Sequence, residues 1–130
     1  MVAIDTNVLV RIVVNDDPVQ CEKALSVLAG EVVHIPVTVI LESEWVFRHC
    51  YGLGTAKTCL TFGELLKTEG VEIAEAAAVE RAVALHEQGM DFADALHLCL
   101  ASETADTFCT FDKALANSVP EALPVAVRKL

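Results

Sequence analysis

Apolar residues come in short bursts, separated by longer stretches in which they recur every three or four positions. Val2-Ala3-Ile4 is the first burst, too brief for periodicity to decide, and it runs straight into Asp5. Residues 8–14 follow as an apolar, helix-like segment. Asn15-Asp16-Asp17-Pro18 reads as a turn and helix start, with Asp17 at the N-cap and Pro18 at the first helical position. That helix runs to about Ala29 and stops at Gly30. Residues 32–35 predict a second strand, closed by Pro36. From Thr38 to Cys50 the period turns helical, with Val39, Val46, Phe47 and Cys50 near one face, until Gly52 and Gly54 end it.

Residues 55–68 predict another helix, weakened at Gly63 because glycine is a poor helix former, and residues 71–73 a third strand. Residues 74–88 are rich in Ala and Glu and stop at Gly89. Asp91 then caps a helix carrying Phe92, Leu96, Cys99 and Leu100 at i, i+4, i+7, i+8 spacing. Residues 107–111 predict a fourth strand ending at Asp112, and residues 124–127 a fifth. Strands alternating with helices or helix pairs predict an α/β fold, a three-layer α/β/α sandwich with a mostly parallel central sheet. Parallel neighbours need crossovers, and the helical segments supply them.

Composition narrows this picture. At 130 residues the chain reads as one domain over residues 1–130, burying about two-thirds of its unfolded surface. Apolar residues make up 54% of it, enough for a sizeable core. The longest run free of Asp, Glu, Lys and Arg is residues 32–41, well short of the ~20 apolar residues of a bilayer span. Asp5 and Arg11 interrupt any signal-peptide core, so a cytoplasmic protein without a membrane anchor is expected. Five cysteines without a C-x-x-C or repeated spacing suit reduced, mostly buried thiols rather than a zinc site. The net charge of −10 repels phosphate backbones at long range and, as a whole-chain sum, points towards cations or basic partners.

The chemistry concentrates in a few carboxylates. In an open parallel sheet, ligands bind beyond the carboxyl ends of the strands. Asp5 stands at that end of the first strand and Asp112 at that end of the fourth. Each also suits a helix N-cap. Glu42 and Glu44 sit about 200° apart on one helix, so one of them should face solvent. Asp91 and Asp94 are an i, i+3 pair at a helix start, where Asp91 caps and Asp94 complements the helix dipole. Were Asp5, Glu42, Asp94 and Asp112 to converge, their mutual repulsion would call for a divalent cation, and all-oxygen ligands favour Mg²⁺ or Mn²⁺ over zinc. Asn7 and Thr110 add neutral hydrogen-bonding groups near the same lip.

Asp5-Thr6-Asn7-Val8-Leu9, Leu41-Glu42, the run from Asp91 through Asp94 to Leu98, and Thr110-Phe111-Asp112 resemble the successive motifs of the PIN-domain nucleases. Within that family the chain is most similar to VapC-type toxins of bacterial toxin–antitoxin pairs, over nearly its whole length. The resemblance implies a small Mg²⁺- or Mn²⁺-dependent endoribonuclease with Asp5, Glu42, Asp94 and Asp112 as its acidic quartet. It implies that Thr6 or Asn7 orders the site, that Thr110 supports Asp112, and that Asp91 is a possible extra ligand. It also implies a homodimer, RNA as substrate, and a cognate antitoxin that pushes a basic side chain into the acidic crevice.

Other features shape these expectations. Aromatic residues are 5% of the chain, so no base-stacking platform is expected, and RNA contact falls to the metals plus a few of Arg11, Arg48, Lys113 and their dimer mates. Trp45, Phe47, Phe62, Phe92 and Phe111 are expected in the core, and apolar residues between 38 and 66 at a dimer face. His97, one turn after Asp94, lies within reach of the acidic site. Two other classes compete. A phosphatase or receiver domain also places Asp after a first parallel strand, but position 7 is Asn7 where a haloacid-type phosphatase needs a second Asp, and Asp16-Asp17 lie far from Asp5. A PIN-fold binding module without activity would have lost an acidic position, and all four are present.

Overall fold

In the computed structural model, which describes residues 1–130, the first apolar burst becomes strand β1 (Val2–Ala3). It pairs in parallel with β2 (Val33–Ile35), Val2 opposite Val33 and Ala3 opposite His34. β2 pairs in parallel with β3 (Val71–Ile73), giving the order β1-β2-β3. Val33 and Ile35 of the central strand are buried. Two helices make each crossover: α1 (Thr6–Val13) and α2 (Pro18–Gly30) from β1 to β2, then α3 (Val37–Tyr51) and α4 (Thr55–Lys67) from β2 to β3. Helix α1 packs on both α2 and α3, and α4 rests on β3. These elements form a first compact unit, Met1–Ala76.

Helix starts follow local chemistry. Asp5 and Asp17 cap α1 and α2, accepting from the backbone N–H groups of Val8 and Gln20 at 3.0 Å each. Because Asp5 is the cap, α1 begins at Thr6, two residues before its apolar pattern. Pro18 opens α2 as expected. Gly52 closes α3 in the left-handed conformation at φ 62°, a geometry that other residues adopt only with strain. The core of this unit holds Leu9, Val10, Ile40, Phe47 and Phe62, with the two phenyl centroids 6.1 Å apart.

A second unit, Ala77–Leu130, takes in nearly all of α5 (Ala76–Glu87), then α6 (Phe92–Ala101), β4 (Thr107–Thr110), α7 (Lys113–Ser118) and β5 (Ala126–Lys129). β4 and β5 pair in parallel, from Thr107 opposite Ala126 to Thr110 opposite Lys129. Its buried side chains include Val79, Ala82, Phe92, Leu96, Leu98 and Cys99. Every strand pair in the protein is parallel, as the alternation of strands and helices requires.

Some expectations need correcting. The fifth strand begins at Ala126, whose N–H donates to the Asp106 carbonyl, not at Pro124, which has no N–H to donate. Helix α7 was not expected; Asp112 caps it by accepting from the Leu115 N–H at 3.0 Å. Phe47, Phe62 and Phe92 are buried, but Trp45 is 52% exposed and Phe111 81% exposed. Trp45 lies on the outer face of α3, and Phe111 follows the last residue of β4. Three of the five cysteines are buried and all are free, with Cys50 and Cys109 exposed.

Candidate active site

In the first unit, the carboxyl ends of β1 and β2 open onto a pocket of about 270 Å³ lined by Asp5, Thr6, Asn7, Thr38, Val39 and Glu42. Strand β1 delivers Asp5, and the first turns of α3 deliver Thr38 and Glu42, one helical turn apart on the same face. Capping occupies Asp5 Oδ1 with the Val8 N–H, which leaves Oδ2 for the pocket. No basic side chain lines the pocket to neutralise the two carboxylates. Thr6 is buried, and Asn7 is exposed.

The ambiguity between Glu42 and Glu44 resolves cleanly. Glu42 is exposed at the pocket, whereas Glu44 turns inward and accepts from Arg48 Nε at 2.9 Å. Arg48, expected as an RNA contact, thus holds a buried carboxylate with part of its guanidinium. Arg11 is similarly engaged. It donates to Gln20 Oε1 at 2.7 Å, Asp16 Oδ1 at 3.0 Å and the Tyr51 hydroxyl at 3.0 Å. Tyr51 in turn donates to Asp16 Oδ2 at 2.7 Å. The Tyr51 hydrogen bond, with help from Arg11, holds the Asp16 carboxyl below the usual aspartate range.

In the second unit, α6 and the end of β4 present Asp91, Asp94 and Asp112. Asp91 caps α6 by accepting from the Asp94 N–H at 3.1 Å. Asp112 caps α7, and its own N–H donates to Thr110 Oγ1 at 3.0 Å. Partial burial pushes the Asp94 carboxyl above the usual range, and the charges of Asp91 and Asp112 push it further. His97 acts in the opposite sense, so it stands close enough to bear on that carboxyl.

The raised pKa has a simple meaning. Burial first, then the charges of Asp91 and Asp112, make Asp94 harder to ionise, a conflict that a cation removes. The donors in both units are hard oxygens, suited to Mg²⁺ or Mn²⁺ and unsuited to zinc. No group of three or more His, Cys, Asp or Glu side chains is placed to hold a metal ion.

One aromatic feature was missed from the sequence. Trp45 stacks on His49 with ring centroids 4.5 Å apart. Its signal was present in the spacing, since Thr38, Glu42, Trp45 and His49 recur at i, i+4, i+7 and i+11 on one helix face.

Compared with known families, the chain matches the family model described as PIN domain over residues 2–118. The matched span includes every carboxylate described above. No curated protein gave a match. PIN domains are generally nucleases and typically use divalent metal ions.

Proposed function

The chain belongs to the PIN-domain family, and from that membership we propose that it is a Mg²⁺- or Mn²⁺-dependent endoribonuclease acting as the toxin of a toxin–antitoxin pair. The observation that carries the metal-dependent reading is electrostatic. Asp5 and Glu42 share a pocket with no basic partner, and Asp94 is held above its normal range by burial and by Asp91 and Asp112. A cation would relieve the crowding of negative charge that burial, Asp91 and Asp112 impose on Asp94.

Asp5, Glu42, Asp94 and Asp112 are the proposed metal ligands, with Asp91 as an additional carboxylate. Held by these carboxylates, a divalent cation would supply an activated water and charge neutralisation for the phosphate and the leaving oxygen. The protein groups orient this chemistry. Capping α1 fixes the Asp5 carboxylate so that one oxygen is always presented. The Leu115 N–H performs the same service for Asp112, and Thr110 steadies the Asp112 backbone by accepting its N–H. Thr6, Asn7 and Thr38 supply neutral hydrogen bonds in the pocket, which add no positive charge to compete for the carboxylates.

The toxin role rests on the order and content of the four motifs. It brings a homodimer, an RNA substrate, a cognate antitoxin with a basic segment, and a cytoplasmic setting. The net charge of −10 supports a basic partner, and no helix is long and apolar enough to cross a membrane. The test is cleavage of RNA by the purified chain, freed of any partner. Cleavage should appear with Mg²⁺ or Mn²⁺ and vanish in excess chelator. Undiminished cleavage in chelator would overturn the metal-dependent reading, and RNA bound but left intact with either cation would make the protein a binding module.

A further inference from the structure

Trp45 is the chain's single tryptophan, and half of its surface faces solvent. An indole is a large apolar group to leave in water, and its polarised ring faces seek another flat group. His49 provides one partner from a turn further along α3, with the ring planes inclined by 35°. That contact fixes the attitude of the indole and leaves the rest of its surface open.

The position of the ring pair is informative. Thr38, Glu42, Trp45 and His49 fall within about 60° of one another around the helix. The first two are walls of the pocket that also holds Asp5, so the rings continue the same face. At a rise of about 1.5 Å per residue, Trp45 starts about 4.5 Å and His49 about 10.5 Å beyond Glu42 along the axis. Side chains on a helix lean towards its N-terminus, which tilts the indole back towards the pocket. Successive nucleotides of a stacked strand advance about 3.4 Å each. The rings therefore lie one to three nucleotides from a phosphate held at Asp5 and Glu42.

We infer that Trp45 and His49 form a stacking platform for an unpaired base of the RNA substrate, close to the scissile phosphate. The inference rests on the nuclease reading above and adds a demand for single-stranded character, because a base within a duplex has both faces already covered. It also reverses the expectation from composition that no stacking platform exists. The size of the feature favours a base over a protein partner. Trp45 is the only large apolar side chain that α3 exposes, with Val19 and Leu25 on α2 and Leu60 on α4. One ring bordered by Glu42, Arg48 and His49 matches a single base, whereas a second copy of the chain would need a continuous apolar stripe.

With no other tryptophan, the protein's indole emission reports on this site alone. Stopped-flow mixing with a short single-stranded RNA and Mn²⁺ should quench that emission before product forms. The same strand in a duplex, or with abasic residues near the cut, should not quench it. Trp45→Ala should raise KM about tenfold, the scale of one lost base stack, with a smaller change in kcat and an unchanged melting curve. Trp45→Phe should recover most of the loss. Cleavage by the wild type with unchanged emission and an unchanged KM in Trp45→Ala would overturn the platform. So would a rise in KM accompanied by dissociation of a dimer in sedimentation, which would assign the face to a second copy. If the wild type cleaves no RNA with any cation, the nuclease reading fails separately. Quenching by the single strand but not by its abasic form would still support the platform, and equal quenching by both would refute it.

Discussion

Asp5 has two roles in this account, and substitution can separate them. Its Oδ1 accepts from the Val8 N–H at 3.0 Å as the N-cap of α1, while Oδ2 is left for the pocket it shares with Glu42. Asp5→Ala removes both roles. Loss of an N-cap acceptor costs about 1 kcal/mol. Taking about 2.1 cal/mol/K of unfolding entropy per residue, 1 kcal/mol lowers the melting temperature by about 4 °C if all 130 residues unfold together. Asp5→Asn keeps the cap, because an amide oxygen accepts the same N–H, and gives up only the interaction of the charge with the helix dipole, a few tenths of a kcal/mol. Thermal melts monitored by circular dichroism should thus separate Ala from Asn by several degrees. Metal-dependent cleavage should be lost in both. Equal melting temperatures for the two variants would refute the capping argument, and full activity in Asp5→Asn would remove Asp5 from the metal site.

Other predictions follow from the same geometry. Asp16 has its folded pKa depressed by Tyr51 and Arg11, so its contribution is present above the unfolded value near 3.8 and disappears as pH falls through the lower folded value. Tyr51→Phe should therefore destabilise at neutral pH and have less effect in acid melts near pH 2, and an equal loss at both pH values would contradict this. Phe47→Ala, at a fully buried site against Phe62, should cost about 3–5 kcal/mol in a urea titration, and a loss below 1 kcal/mol would show that the two rings are not packed as described. Gly52→Ala meets no neighbouring atom but must adopt φ near 62°, so the cost should be about 1 kcal/mol of backbone strain with no effect on cleavage.

Where the fold was legible in the sequence, the signal was local and strong. Asp17-Pro18 opens α2, Asp91 caps α6, and Gly52 ends α3, each by chemistry that acts within a single turn. Helix α7 was missed because six residues carry too little periodicity, although Asp112 followed by Lys113-Ala114-Leu115 did hold a capping signal. The position of β5 depends on its pairing with β4, which no local pattern specifies. Hydrophobicity placed Phe47 and Phe62 correctly in the core and misplaced Trp45 and Phe111. A large apolar residue is usually buried, but hydrophobicity alone does not say which of them the packing leaves exposed. Helix geometry alone did not say which of Glu42 and Glu44 faces the pocket, and only the motif resemblance singled out Glu42. That choice depends on the rotation of α3 against α1, a matter of packing rather than pattern.

The central claim is that these carboxylates hold a divalent cation, and calorimetric titration of Mn²⁺ into the metal-free chain tests it without reference to any RNA. The account predicts saturable binding to the wild type and clear weakening in both Asp5→Asn and Asp94→Asn, with each variant still folded. No binding to the folded wild type, or binding of equal strength in both variants, would contradict it.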